Sequence, residues 1–150
     1  MKVFIMPKFI FEQAIDGIEK SSKDVFYLSI NNPDDEDKTP IREDSDTFKS
    51  MWFYDIDEDI YDEVKDFTYK TISDEQLDEL YDFIMKNKDK KNFVVHCTAG
   101  VSRSGAVGEF VNDLFGIPYA EFRKQNPNII PNTYIKKKLN EKCYQSSLYL

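Results

Sequence analysis

Phe93-Val94-Val95-His96-Cys97-Thr98-Ala99-Gly100-Val101-Ser102-Arg103-Ser104-Gly105 is the stretch whose reading decides the fold. It reads as a short buried strand, Phe93–Val95, followed by a cysteine, five residues, an arginine and a serine. Gly105 then opens a helix that runs to Phe115 and ends at Gly116. A strand of this kind fixes Cys97, and the turn after it wraps the backbone so that successive N–H groups converge on one point. The helix adds the positive end of its dipole to that point. A dianionic phosphate fits such a nest. Thr98, Ala99, Gly100, Val101 and Ser102 would line it, and Arg103 would close it with a planar fork that bonds two oxygens at once.

The same nest prepares Cys97 as a nucleophile. A free thiol has a pKa of about 8.5, and a helix N-terminus with a nearby cation lowers it to about 3.5–7.5. Attack on phosphorus would give a phosphocysteine. Gly100 falls mid-turn, where a positive φ or a close backbone approach is expected. Ser104 is placed to hydrogen-bond the sulfur and ease its departure. His96 is the only histidine, so no distant histidine exists to form a Cys-His dyad; positioning of the loop is the better role for it. A cysteine can also be a plain buried hydrophobe. That alternative leaves unexplained the apolar strand before Cys97, the glycine three positions after it and the Ser-Gly that opens the helix.

Working outward, strands alternate with helical periodicity. Val3–Met6 is a short apolar strand, and Lys8 to Ile18 carries Phe11, Ala14, Ile15 and Ile18 at helical spacing. Val25–Ile30 is a β-rich run stopped by Asn31-Asn32-Pro33. Asp34 to Asp46 reads as an acidic loop, and Phe48 to Tyr54 as a third strand. Ser73 caps a helix to Asn87, with Gln76 completing a capping box and Ile72, Leu77, Leu80, Phe83 and Ile84 toward the core. Helices over Tyr119–Lys124 and from Thr133 to about Tyr144 complete the chain. The pattern predicts an α/β fold: a mostly parallel central sheet of four to five strands flanked by helices, in a single domain over residues 1–150.

Composition sets the remaining bounds. Two cysteines, Cys97 and Cys143, make no disulfide scaffold, and Cys143 is expected to pack on a helix. The start is too short for a signal peptide, and no run reaches transmembrane length, so a reducing, cytoplasmic setting is expected. The net charge is −8, which disfavours general binding to nucleic acid or to anionic membranes. Residues 34–66 hold 14 Asp and Glu against four Lys and Arg, while residues 122–150 hold six Lys and Arg against one Glu. Lys136-Lys137-Lys138 is expected to be a solvated helix face.

Phosphate ester cleavage also needs an acid for the departing oxygen, worth about 10²–10⁴-fold. Parallel strands deliver their C-terminal ends to one rim, which favours Asp55 just beyond the third strand. Asp57 is the next candidate, and Asp59, Asp62 and Asp66 follow on the same loop.

At this point the chain resembles a known family. Val94 to Gly105 looks like the signature loop of the cysteine-dependent protein phosphatases of the tyrosine and dual-specificity type. Lys124-Gln125-Asn126-Pro127-Asn128-Ile129-Ile130-Pro131-Asn132 resembles the segment before the last helix of the small dual-specificity enzymes. The resemblance covers about residues 24–142. It implies a compact enzyme that hydrolyses phosphotyrosine, phosphoserine and phosphothreonine in proteins without metal or cofactor. Cys97 would be the nucleophile, Arg103 the phosphate clamp, Ser104 the aid to thiolate departure and Asp55 the acid. The chain departs from the family in the Asp57–Thr71 loop, which is longer than usual and leaves Asp57 and Asp66 open as the acid. Phosphoinositide phosphatases of the superfamily place lysines in the loop, and this chain has none there. An RNA 5′-triphosphatase and a phosphoprotein-binding pseudophosphatase are the alternative readings.

Overall fold

Strands buried on both faces of a parallel sheet need apolar side chains at odd and even positions alike, and Val25–Ile30 and Phe93–Cys97 come closest to that pattern. The computed structural model describes residues 1–18, 24–35 and 37–148. The elements are β1 (Lys2–Pro7), α1 (Lys8–Ile18), β2 (Val25–Asn31), β3 (Phe48–Trp52), β4 (Ile60–Asp62), β5 (Phe67–Tyr69), α2 (Asp74–Lys86), β6 (Asn92–Cys97), α3 (Arg103–Phe115), α4 (Tyr119–Gln125) and α5 (Thr133–Leu148). The central sheet has the order β1-β6-β2-β3, with every pairing parallel. The α/β architecture and the parallel sheet are as the sequence predicts.

Alternation divides the core into two layers. Val3, Phe26, Leu28, Ile30, Met51, Phe93, Val95 and Cys97 face the larger cluster, closed by α2, α3, α4 and α5. Val25, Tyr27, Phe48 and Val94 face the other side, where α1 lays down Phe11 and Ile15. Helix α2 starts with the expected capping box: Ser73 Oγ accepts from the Gln76 amide, and Gln76 Oε1 accepts from the Ser73 amide at 3.1 Å each. Leu77, Leu80, Phe83 and Ile84 are buried, as is Ile72 before the helix. Cys143 packs against the same core. The side chain of Ile18 lies outside the described residues.

Three expectations are corrected. The third strand ends at Trp52; Phe53 beyond it stays buried in the larger cluster, and the Tyr54 hydroxyl donates to Asp34. The signature helix starts at Arg103, two residues before Gly105, which puts the guanidinium on its first turn. Gly116 ends that helix as expected, in extended backbone, and Asn112 bonds both the N–H and the C=O of Ile117 there. Lys136 does not sit on a solvated face: it is half-buried and ion-paired to Glu109 and Asp113 of α3, tying α5 to the signature helix.

The Asp57–Thr71 loop holds an element that the sequence pattern did not reveal. β4 and β5 pair antiparallel into a small hairpin apart from the main sheet. No helix among the described residues is long and apolar enough to cross a membrane.

Candidate active site

The parallel sheet brings the C-terminal ends of β1, β2, β3 and β6 to one rim, and the loop from Cys97 to Arg103 crosses it. Gly100 makes the crossing possible. Its φ is +71°, and a Cβ there would lie 2.5 Å from both the Met6 carbonyl carbon and the Pro7 nitrogen. Only glycine meets both conditions. The Lys8 amide also donates to the Thr98 carbonyl at 3.3 Å, so the end of β1 braces the loop from behind.

Cys97 is buried, with its sulfur 3.0 Å from Ser104 Oγ. Burial pushes its thiol pKa up. The Ser104 hydroxyl and the backbone N–H groups of Ser104, Val101 and Gly100 outweigh this by stabilising the anion, and the net shift is downward. Three amides of the turn thus act on the sulfur together with the Ser104 hydroxyl.

Arg103 is buried and held by two backbone carbonyls. Nη1 donates to the Phe53 oxygen at 2.8 Å and to the Asn31 oxygen at 3.4 Å, while Nη2 donates to Thr98 Oγ1 at 3.2 Å. Nε has no acceptor among the described residues although it is buried. Nη2 reaches the loop through Thr98, and Nε lies on the same edge of the guanidinium. A buried donor without a partner costs about 1–3 kcal/mol, so an anion in the nest would satisfy a bond the protein itself leaves open.

His96 lies behind the loop. Its Nδ1 is 3.1 Å from the Cys97 carbonyl, which can only accept, so Nδ1 carries the proton. Nε2 is then the acceptor for Ser29 Oγ–H at 2.6 Å. Asn31 Nδ2 donates in turn to Ser29 Oγ at 3.2 Å. Burial, opposed by the bond to Cys97, lowers the imidazole pKa to about 4.

The candidate acids divide by what binds them. Asp55 Oδ1 accepts from Ser102 Oγ at 2.7 Å and from Asn132 Nδ2 at 2.9 Å, which fastens it to the loop, while Oδ2 has no donor among the described residues. Asp57 is exposed nearby on the same cleft. The others build the hairpin: Asp59 accepts from the Thr71 amide, Asp62 from the amides of Val64 and Lys65, and Asp66, in the turn at φ +47°, from Tyr61 OH at 2.7 Å.

The chain is similar to Tk-PTP. The solved crystal structure of that protein in its active form matches 93% of this chain and 88% of that one, at 18% identity and a TM-score of 0.46. No protein-family model and no curated protein matches the sequence.

Cys97, Arg103, Ser104, Thr98, Gly100, Val101, Ser102 and Asp55 thus occupy one site, with Ala99 exposed at its edge. Sequence reasoning missed the groups behind it. The carbonyls of Asn31 and Phe53 that aim Arg103, and Ser29 that orients His96, act through positions no local pattern marks. Asn32 and Asn132 carried a weak signal, as polar residues directly beyond the end of an apolar strand and directly before a helix. Asn32 Nδ2 donates to Thr98 Oγ1 at 3.1 Å.

Proposed function

We propose that the chain is a cysteine-dependent protein phosphatase of the compact dual-specificity kind, acting on phosphotyrosine and on phosphoserine and phosphothreonine. The observation that carries this reading is the unpaired Nε of Arg103 on the same loop as a sulfur that three amides and a hydroxyl hold toward the thiolate form. Phosphoryl oxygens accept from the loop amides and from the Nε–Nη2 edge. The Cys97 thiolate attacks phosphorus, an S–P bond forms, and the P–O bond breaks with its electron pair on the leaving oxygen. Asp55 supplies the proton through Oδ2, because Oδ1 is already occupied. Its carboxylate then takes a proton from water, which attacks phosphorus. The S–P bond breaks, phosphate departs, and Ser104 stabilises the returning thiolate. Both cysteines stay reduced in the cytoplasmic setting this reading implies.

Turnover of para-nitrophenyl phosphate, phosphotyrosine and phosphothreonine peptides and a 5′-triphosphorylated RNA tests the reading. Activity on the first three is expected, lost in Cys97→Ser and reversible by thiol after mild peroxide. Asp55→Asn is expected to lower kcat on tyrosyl phosphate by about 10²–10⁴-fold and to matter far less for a leaving group that departs as a stable anion. RNA turnover alone, or wild-type rates in Cys97→Ser, would refute it.

A further inference from the structure

The hairpin between Asp57 and Thr71 is more than the proposed chemistry uses. It exposes Ile60, Tyr61, Val64 and Phe67, with Val64 96% accessible at the turn. By the hairpin register Ile60 and Phe67 share one face with Tyr69 while Tyr61 lies on the other, so Ile60 and Phe67 give one face an exposed apolar surface of the kind that marks a binding site. Ile60 also lines a cleft of about 480 Å³ with Asp55, Asp57, Ser102, Ile130 and Asn132. The far wall of this cleft is joined to the phosphate loop: the Ile130 amide donates to the Val101 carbonyl and the Asn132 amide to the Ser102 carbonyl, both at 3.0 Å. The cleft therefore begins where the nest ends, and Ile130 lies 73% exposed beside it.

Charge narrows what can lie there. The hairpin segment, residues 57–71, carries six Asp and Glu against two Lys, of which Lys70 pairs with Asp59. The carboxylate of Asp57 has no donor among the described residues. An acidic chain beside the phosphorylated residue would meet like charge, whereas a cation would meet an open carboxylate.

We propose that the cleft and the adjoining hairpin face bind the segment that flanks the phosphorylated residue, favouring an apolar side chain next to it and a basic side chain beyond. This rests on the phosphatase reading for the position of the phosphate. The site selects basic, apolar phosphopeptides and rejects acidic ones.

Three phosphotyrosine peptides of equal length test it: one with Leu beside and Arg beyond the phosphotyrosine, one with Ser for Leu, and one with Glu for Arg. Calorimetry on the Cys97→Ser protein gives their binding, and wild-type turnover gives kcat/KM. Each replacement is expected to weaken binding by about fivefold or more. Ile60→Ser should bring the Leu/Ser ratio near one, and Asp57→Lys should do so for the Arg/Glu ratio. Both positions are on the surface, so folding is not at stake. Peptides that bind alike or not at all, ratios that survive both variants, or tighter binding of 5′-triphosphorylated RNA would overturn the proposal. Absence of para-nitrophenyl phosphate turnover with the peptide ranking intact would refute the phosphatase reading and leave the cleft standing.

Discussion

His96 works uncharged. Its ring sits 4.3 Å from that of Phe11, fully buried, with Nδ1 on the Cys97 carbonyl and Nε2 on Ser29. Protonation would place a second donor against Ser29 and a cation close to Lys8 and Arg103. The folded pKa of about 4 lies below the unfolded value near 6.5, so between those pH values the unfolded chain binds more protons. Stability is therefore whole above about pH 6.5 and falls as pH drops toward 4, by about 3 kcal/mol in all. Asp37, Asp46 and Asp59, all held below the usual carboxylate range, add their losses further down. Urea midpoints from pH 7 to 4.5 measure this, and His96→Gln should flatten the curve. An equal slope in both proteins would mean that another group carries the titration.

At the level of elements, β1 needs outside help because it is the edge of the main sheet. Asn126 provides it: Oδ1 accepts from the Ile5 amide and Nδ2 donates to the Val3 carbonyl, both at 2.9 Å. Asn126→Leu would leave both backbone groups buried without partners. It is expected to lower stability by about 2 kcal/mol or more, against about 1 kcal/mol for Ser73→Ala, which loses only a cap. Chemical denaturation of the two variants checks the ranking, and a smaller loss in Asn126→Leu would show that β1 is held mainly by β6. The contrast also explains what could be read in advance. Ser73 and Gln76 reveal a cap because both partners lie within four residues, whereas Asn126 finds its partners more than 120 residues away. The main strands and the nest were legible for the same reason: apolar runs, a glycine and a Cys-to-Arg spacing are local. β4 and β5 were not, since three-residue strands among acidic side chains carry no periodicity to separate them from loop. Lys136 read as solvated because Glu109 and Asp113 belong to another helix.

For the whole molecule the balance to weigh is a net charge of −8 around the site proposed to take a phosphate. On the proposed reading the nest would attract phosphate at contact distance through amides and Arg103, but the acidic segment over residues 34–66 acts farther out and with the opposite sign. Screening separates the two ranges. The Debye length shrinks from about 30 Å at 0.01 M salt to about 8 Å at 0.15 M, which removes the long-range field and leaves the contacts. For a phosphopeptide with acidic flanks, kcat/KM should therefore rise over that interval, by about threefold or more. One with basic flanks should show the reverse. The comparison must be made between peptides at each salt concentration, so that any competition of chloride for the nest cancels in the ratio. A ratio that stays constant would mean that the acidic segment does not influence the approach of substrate, and that selectivity arises wholly from contacts made after docking.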